Sequence, residues 1–386
     1  METQTGTVFP VGVKGLDVGK LEKDLSAMWA EMTEAKPGGA ARGVVRACVL
    51  NLIVYTPSAE GRDAVDALLD EVIEHHPCRV FVLVADRESP ETKLDAYVAT
   101  RCQLSSKGAK QICGEQIIIE AAGQVVSNIS TAIAPLLIAD VPVFLWWKDI
   151  PHEDDQLFNR LTRLADRIII DSAAFDHPHE DLFRVSQLVS DRSRVAAMSD
   201  LNWERLTPWR SLVAGFWDVL DYRPELERIE RIVIEYERPA SMPDEISPKA
   251  LLAVGWMASR LNWEIDATRI RPEKGVTSFR LVAGGRGIEV VLQPTENTER
   301  CCGMLTSLTI NCAGGSEFYV GLKPEGTKLE TAARIRESER TIGRVLNYDS
   351  RSEGQRLNRE LEILARDVIY EDAVRAAAQL IATIQK

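Results

Sequence analysis

Three short, almost unbroken apolar runs constrain this chain most: Arg79–Ala85 (RVFVLVA), Val141–Trp147 (VPVFLWW) and Arg167–Asp171 (RIIID). A strand with one wet face alternates apolar and polar residues. A strand of a parallel sheet covered on both faces reads as a continuous apolar run. Helical patterns lie between the runs. Val65, Leu68, Leu69, Val72 and Ile73 share one helical face, with Pro77 beyond its end, and Leu157, Leu161 and Leu164 share another. Strands alternating with helices of this length imply βαβ units and a mainly parallel sheet.

Further elements extend the pattern. Leu21, Leu25, Met28, Trp29 and Met32 predict a helix over 17–35, and a β-rich run follows over 44–55. Runs at 94–104 and 112–121 succeed each other with no helix between, which predicts an antiparallel insertion. Helices are expected at 124–138 and 179–190, and another after Thr207-Pro208, with Trp209, Leu212, Val213, Phe216, Trp217 and Leu220 on one face. The composition shifts near Asp221–Glu225. Beyond it come a strand (229–236), a helix (247–261), several β-runs up to about 348 with a hairpin turn at Ala283–Gly287, and helices at 352–366 and 370–384. The expected architecture is α/β: residues 1–222 form a mainly parallel, Rossmann-like sheet with helices on both faces, and 223–386 an α+β domain with an antiparallel sheet.

A length of 386 residues suits two domains, and a net charge of −12 argues against a nucleic-acid partner, whose phosphates call for a basic surface. No run approaches the roughly 18 apolar residues that span a bilayer. The first residues show no basic segment leading into an apolar one. Seven cysteines without zinc-like or CxxC spacing fit a reducing compartment. The expectation is a cytoplasmic protein with no membrane partner.

Side chains suited to chemistry are sparse. Gly15–Lys20 is one residue short of a phosphate loop, carries Leu21 where a hydroxyl would hold magnesium, and follows no strand. No G-x-G-x-x-G follows a strand, so no dinucleotide cofactor is expected. Asp171–Asp181 (DSAAFDHPHED) is the densest group of ligand-type residues. His177, His179 and a carboxylate suit a metal, and Asp171 with a histidine suits acid–base work. The same composition suits a helix N-terminus, with acids near the dipole and Pro178 in the first turn, and this is the preferred reading. Ser172 lacks the G-x-S-x-G setting of a hydrolase nucleophile. Cys102 and Cys113 lie on neighbouring β-runs and are read as ordinary strand thiols, ahead of a redox pair; adjacent Cys301 and Cys302 have only a strained bridge open to them.

Trp146 and Trp147 close an apolar strand and precede Lys148-Asp149. Successive side chains point to opposite faces, so one tryptophan packs under a helix. The other, with Trp147 the candidate, either stands exposed as a contact residue or is buried too.

Asp140–Trp147 (DVPVFLWW), Ala165–Ser172 (ADRIIIDS) and Asp200–Arg210 (DLNWERLTPWR) together resemble the signature of the OpcA family, the glucose-6-phosphate dehydrogenase assembly proteins. The resemblance runs over nearly the whole chain. It implies a non-catalytic protein, without a cofactor, that binds glucose-6-phosphate dehydrogenase and promotes its assembly and activity in the oxidative pentose phosphate pathway. A thioredoxin link through C-terminal cysteines, implied for photosynthetic members, is not expected here, because no cysteine follows Cys312. The candidate contacts are Trp146, Trp147, Lys148 and Asp149 at the strand end, Asp171, Ser172 and His177 in the acidic segment, and Trp203, Arg205, Trp209 and Arg210 in the tryptophan–arginine motif. The alternative is a sugar-phosphate-binding enzyme or sensor built around Trp147, Asp171 and His177. A stand-alone nucleotide-dependent oxidoreductase is disfavoured by the missing glycine fingerprint.

Overall fold

The computed structural model describes residues 13–14, 17–33, 43–104, 110–191, 193–239, 242–273, 275–295, 303–336, 341–348 and 351–384. Gly15, Cys301 and Cys302 lie outside these residues. By backbone contacts the chain divides into two compact units, neither continuous in sequence. The first comprises 1–170, 193–199 and 352–366; the second comprises 171–192, 200–351 and 367–386.

The first unit is built on strands β1 (Val13–Lys14), β2 (Gly43–Arg46), β3 (Leu50–Thr56), β4 (Cys78–Asp86), β5 (Lys93–Leu104), β6 (Lys110–Ala122), β7 (Val143–Trp147), β8 (Arg167–Ile170) and β9 (Ala197–Asp200). They form one sheet in the order β1-β5-β6-β4-β3-β7-β8-β9, with β2 beside β6. The pairings β2–β6, β4–β6, β3–β4, β3–β7 and β7–β8 are parallel. Strand β5 pairs antiparallel with both β1 and β6, which is the expected insertion. Of the three apolar runs, β7 and β8 are buried at every residue, and β4 is buried from Cys78 to Leu83 and at Ala85, with Val84 half-buried and Asp86 exposed.

The helix Ala59–His75 is capped by Ser58, whose hydroxyl accepts the Gly61 N–H, and it buries Val65, Leu69, Val72 and Ile73. The single helix expected at 124–138 is instead a 3-10 segment (Gly123–Asn128), a short α-turn (Ile129–Ile133) and a second 3-10 turn (Ala134–Leu136). Ser127 and Thr131 hydroxyls donate to the carbonyls of Gln124 and Asn128, in competition with regular helix, and Pro135 offers no N–H. The apolar spacing still does its work, burying Val126, Ile129, Ile133 and Leu136.

From the far end of the chain comes the helix Glu353–Leu361, opened by a reciprocal Ser352/Gln355 capping box. It is shorter than the expected 352–366, ending where Ile363 and Leu364 are exposed and have no burial to extend it. This segment completes the surroundings of Arg167, which is only 1% exposed. Its guanidinium donates to Glu360 Oε2 (3.2 Å), to the Ala365 carbonyl (2.7 Å) and to Ser199 Oγ (3.2 Å).

The second unit carries β10 (Ile229–Glu237), β11 (Glu264–Glu273), β12 (Val276–Ala283), β13 (Arg286–Thr295), β14 (Leu305–Cys312), β15 (Ser316–Leu322), β16 (Lys328–Arg334) and β17 (Thr341–Asn347). Their order is β11-β12-β13-β10-β14-β15-β16-β17. The sheet is antiparallel except at β10–β13, which is parallel. Gly284 (φ 55°) and Gly285 (φ 84°) form the β12–β13 turn, where two positive φ values match the twist of the strands. The helices Pro248–Leu261 and Val368–Ile384 pack closely because Gly255 has no side chain: a Cβ there would sit 2.1 Å from the Ala373 carbonyl oxygen. Among the described residues, no helix is long and apolar enough to cross a membrane.

Candidate functional site

In the first unit, β3 is followed through its helix by β4 on one side, while β7 lies on its other side. The order therefore reverses between β3 and β7, and open α/β sheets take ligands at the carboxyl ends of strands at such a reversal. Here two aromatic side chains occupy that place. Register pairs Tyr55 with Trp147, so both rings stand on the same face. They stack with centroids 3.8 Å apart and 13° between planes, and Phe158 meets Trp147 edge-on at 5.0 Å. Arg87, just beyond β4, lies over both rings, 4.9 Å from Tyr55 and 5.4 Å from Trp147, and is held by Asp155. Asp155 also caps the helix Gln156–Thr162. Burial pushes the Tyr55 phenol well above its ordinary range.

Trp147 is 1% exposed, and so is Trp146. Of the two alternatives for Trp147, exposure as a contact residue and burial, burial holds. Its own face of the sheet is closed by Tyr55, Phe158 and Arg87, residues the strand pattern alone did not implicate. On the opposite face, Lys148 places its ammonium 4.1 Å from the Trp146 ring and 2.7 Å from Glu353 Oε1. Asp149 accepts the Ile150 N–H at 2.8 Å. Sequence gave one available signal for Arg87: a charge immediately past the buried run that ends at the same edge.

In the second unit, Asp171, Ser172 and Arg205 come together with Asp200 and Asn202. Arg205 donates two parallel hydrogen bonds to Asp171, at 2.7 and 2.8 Å. Asp200 accepts the Ser172 hydroxyl at 2.6 Å and the N–H groups of Ser172 and Asn202 at 2.9 and 2.8 Å, the last as the cap of the helix Leu201–Arg205. Asn202 Nδ2 donates to the Ser172 oxygen at 3.0 Å. Asp200 is completely buried, and that burial, reinforced by the neighbouring Asp171 charge, pushes its carboxyl up to about 7. A serine beside a carboxylate has the parts of a nucleophile and base, yet Ser172 is 1% exposed and its oxygen is already occupied on both sides.

The histidines do not join this cluster. His177 is exposed, with its backbone N–H donating to Asp181 Oδ2 (3.0 Å) at the start of the helix Pro178–Ser190. His179 is buried; its Nε2 accepts the Ile246 N–H (2.8 Å), and its backbone N–H donates to Glu245 Oε2 (2.7 Å). Burial lowers the His179 pKa despite the facing Glu245 charge, so the ring is neutral. Among the described residues no group of three His, Cys, Asp or Glu is placed to hold a metal.

The remaining motif residues are packing elements. Trp203 donates Nε1–H to Asp367 (2.9 Å) and lies 3.6 Å below the Arg210 guanidinium, which also donates to Thr207 Oγ1 (2.9 Å). Trp209 is 1% exposed and meets Tyr348 edge-on. A correction concerns the thiols: Cys102 and Cys113 are bonded to each other. They are direct register partners in the antiparallel β5–β6 pair, with Cα atoms 4.1 Å apart, a juxtaposition that their sequence spacing does not reveal.

Residues 69–187 match the family profile described as glucose-6-phosphate dehydrogenase subunit N-terminal domain, and residues 196–374 match its C-terminal counterpart. The OxPP cycle protein OpcA of Synechocystis sp. is 28% identical over 334 residues, covering 83% of this chain and 66% of that protein. Its namesake in Nostoc punctiforme is 35% identical over 202 residues, covering 51% and 40%. The chain therefore spans just under two thirds, or less, of the length of these relatives. A dehydrogenase from Clostridium difficile superposes with a TM-score of 0.42 at 10% identity, covering 87% of this chain and 98% of that one. With both halves of one family's signature matched in order along its length, the chain belongs to the OpcA family.

Proposed function

We propose that this protein is a non-catalytic assembly factor that binds glucose-6-phosphate dehydrogenase and promotes its oligomerisation and activity in the oxidative pentose phosphate pathway. Membership of the OpcA family and the names its relatives carry support the reading. One structural observation favours binding over turnover. At the strand reversal where an α/β enzyme would seat a ligand, Tyr55 and Trp147 pack face to face under Arg87. The groups with catalytic potential in the second unit are likewise engaged: Asp171 with Arg205, and Ser172 with Asp200. In this reading the buried tryptophans hold the scaffold, and the partner meets the accessible charges around them.

The test is to mix the full chain with the cognate dehydrogenase. Light scattering after size exclusion should show a larger dehydrogenase assembly containing both chains. NADPH production per dehydrogenase should rise, and the chain alone should produce none. Separate elution with unchanged dehydrogenase activity would overturn the proposal.

A further inference from the structure

Within the second unit lies a cavity of about 240 Å³ that none of the motifs above accounts for. Its walls come from the helix Thr207–Phe216 with Trp217 after it, from Leu226, from Ile229 at the start of β10 and Ile310 near the end of β14, and from the last turns of the helix Pro248–Leu261 with Trp263 beyond it. Three tryptophans line it, Trp217, Trp256 and Trp263, together with aliphatic Leu226, Ile229 and Ile310. These tryptophans differ from the others in the unit. Trp203 and Trp209 are at most 2% exposed, whereas all three around the cavity are only half-buried. Trp217 is fixed from behind by Phe318, edge-on at 4.8 Å, so its position does not depend on anything filling the cavity.

We propose that this cavity is a binding site for a neutral, flat, bicyclic aromatic molecule of indole or naphthalene size. Size sets the first limit. An apolar cavity of about 150 Å³ takes a benzene ring, so one of about 240 Å³ has room for two fused rings. Charge sets the second. Arg260 is the one ionisable residue in the wall, and its guanidinium is engaged by Asp372, which leaves no free counter-charge for an ionic ligand. Shape sets the third. The apolar surface is concave and framed by several elements, which suits insertion of a compact molecule rather than the laying down of a helix. Three indole side chains in one wall suit an aromatic ligand, because aromatic rings gain from stacked or edge-to-face contacts with one another.

The experiment titrates the full chain into 5-fluoroindole, followed by fluorine NMR. Saturable binding at one site per chain is expected. Ala214→Trp, which adds an indole at an exposed position of the cavity wall, should weaken binding at least tenfold while leaving the melting temperature near that of the parent. Should that variant fold poorly, Leu226→Phe makes the same comparison. Anionic indole-3-acetate should bind at least tenfold more weakly than indole. The proposal is overturned by absence of saturation up to the solubility of the probe, by unchanged binding in a folded filled variant, or by equal binding of the anion. Displacement of the bound probe by the dehydrogenase would assign the cavity to a protein side chain instead, and would also overturn it.

Discussion

Tyr55 and Trp147 are register partners on neighbouring parallel strands, and their rings stack 3.8 Å apart at the carboxyl end of the β3–β7 seam. The contact makes Trp147 as much a core residue as Trp146, on the opposite face of the same strand.

Trp146→Ala and Trp147→Ala should therefore each destabilise the protein, by about 3–5 kcal/mol as for other buried aromatic truncations. Urea unfolding would measure this. The fraction that remains folded should bind the dehydrogenase as the parent does. A Trp147→Ala protein of parental stability with lost binding would contradict the packing described here.

Asp200 gives a stability slope of unusual sign. Its carboxyl holds a proton up to about pH 7 in the folded protein, against an ordinary value of 3.8. Between those values the unfolded chain has released the proton and the folded chain has kept it. Stability should fall as pH rises through that window, by up to about 1.4 kcal/mol per pH unit from this group, and level off above it. Asp200→Asn preserves the acceptor for the two N–H groups and should flatten the slope. Denaturant midpoints at successive pH values check this.

His179 acts in the other direction. Its folded pKa is lowered from 6.5, and its Nε2 is needed as an acceptor by the Ile246 N–H. Below pH 6.5 the unfolded chain takes up a proton first, so stability from this group is lost as pH falls. The opposing contribution should be clearest in the Asp200→Asn background. The protection of the Ile246 amide, taken relative to its intrinsic exchange rate at each pH, should fall on acidification before protection elsewhere in the core does.

The β5–β6 bridge predicts a covalent signature. Digestion under non-reducing conditions should yield a linked peptide pair containing Cys102 and Cys113, separated by reductant. Cys78, completely buried with its thiol pushed far above its ordinary range, should resist alkylation until the protein unfolds. Free Cys102 and Cys113 in protein purified without reductant would contradict the bridge.

The parallel core of this fold is readable from apolar runs because double burial leaves a direct mark on composition, as in β4, β7 and β8. The hairpin at Gly284-Gly285 is readable for a similar reason: its backbone conformation admits few residues. Pairings distant in sequence leave no such mark. Nothing near Trp147 announces Tyr55 as its partner, Arg87 is marked only by its place just past the β4 run, and nothing near Asp171 announces Asp200. Strand β9 is only four residues long and too short for a periodic pattern to stand out. The broken helix after Gly123 kept its apolar spacing, so pattern alone could not separate it from a continuous one.

Arg167 carries a consequence for how the protein comes off the ribosome. Its guanidinium is sealed in the first unit, yet its carboxylate partner Glu360 lies 193 residues later in the chain. At roughly 5–20 residues per second, that is on the order of 10–40 s of translation. Throughout that interval the β8 region has a charge it can neither leave in water nor neutralise if it packs fully. Nascent chains should therefore hold this edge of the sheet loose, and open to chaperones, until the segment carrying Glu360 has been made.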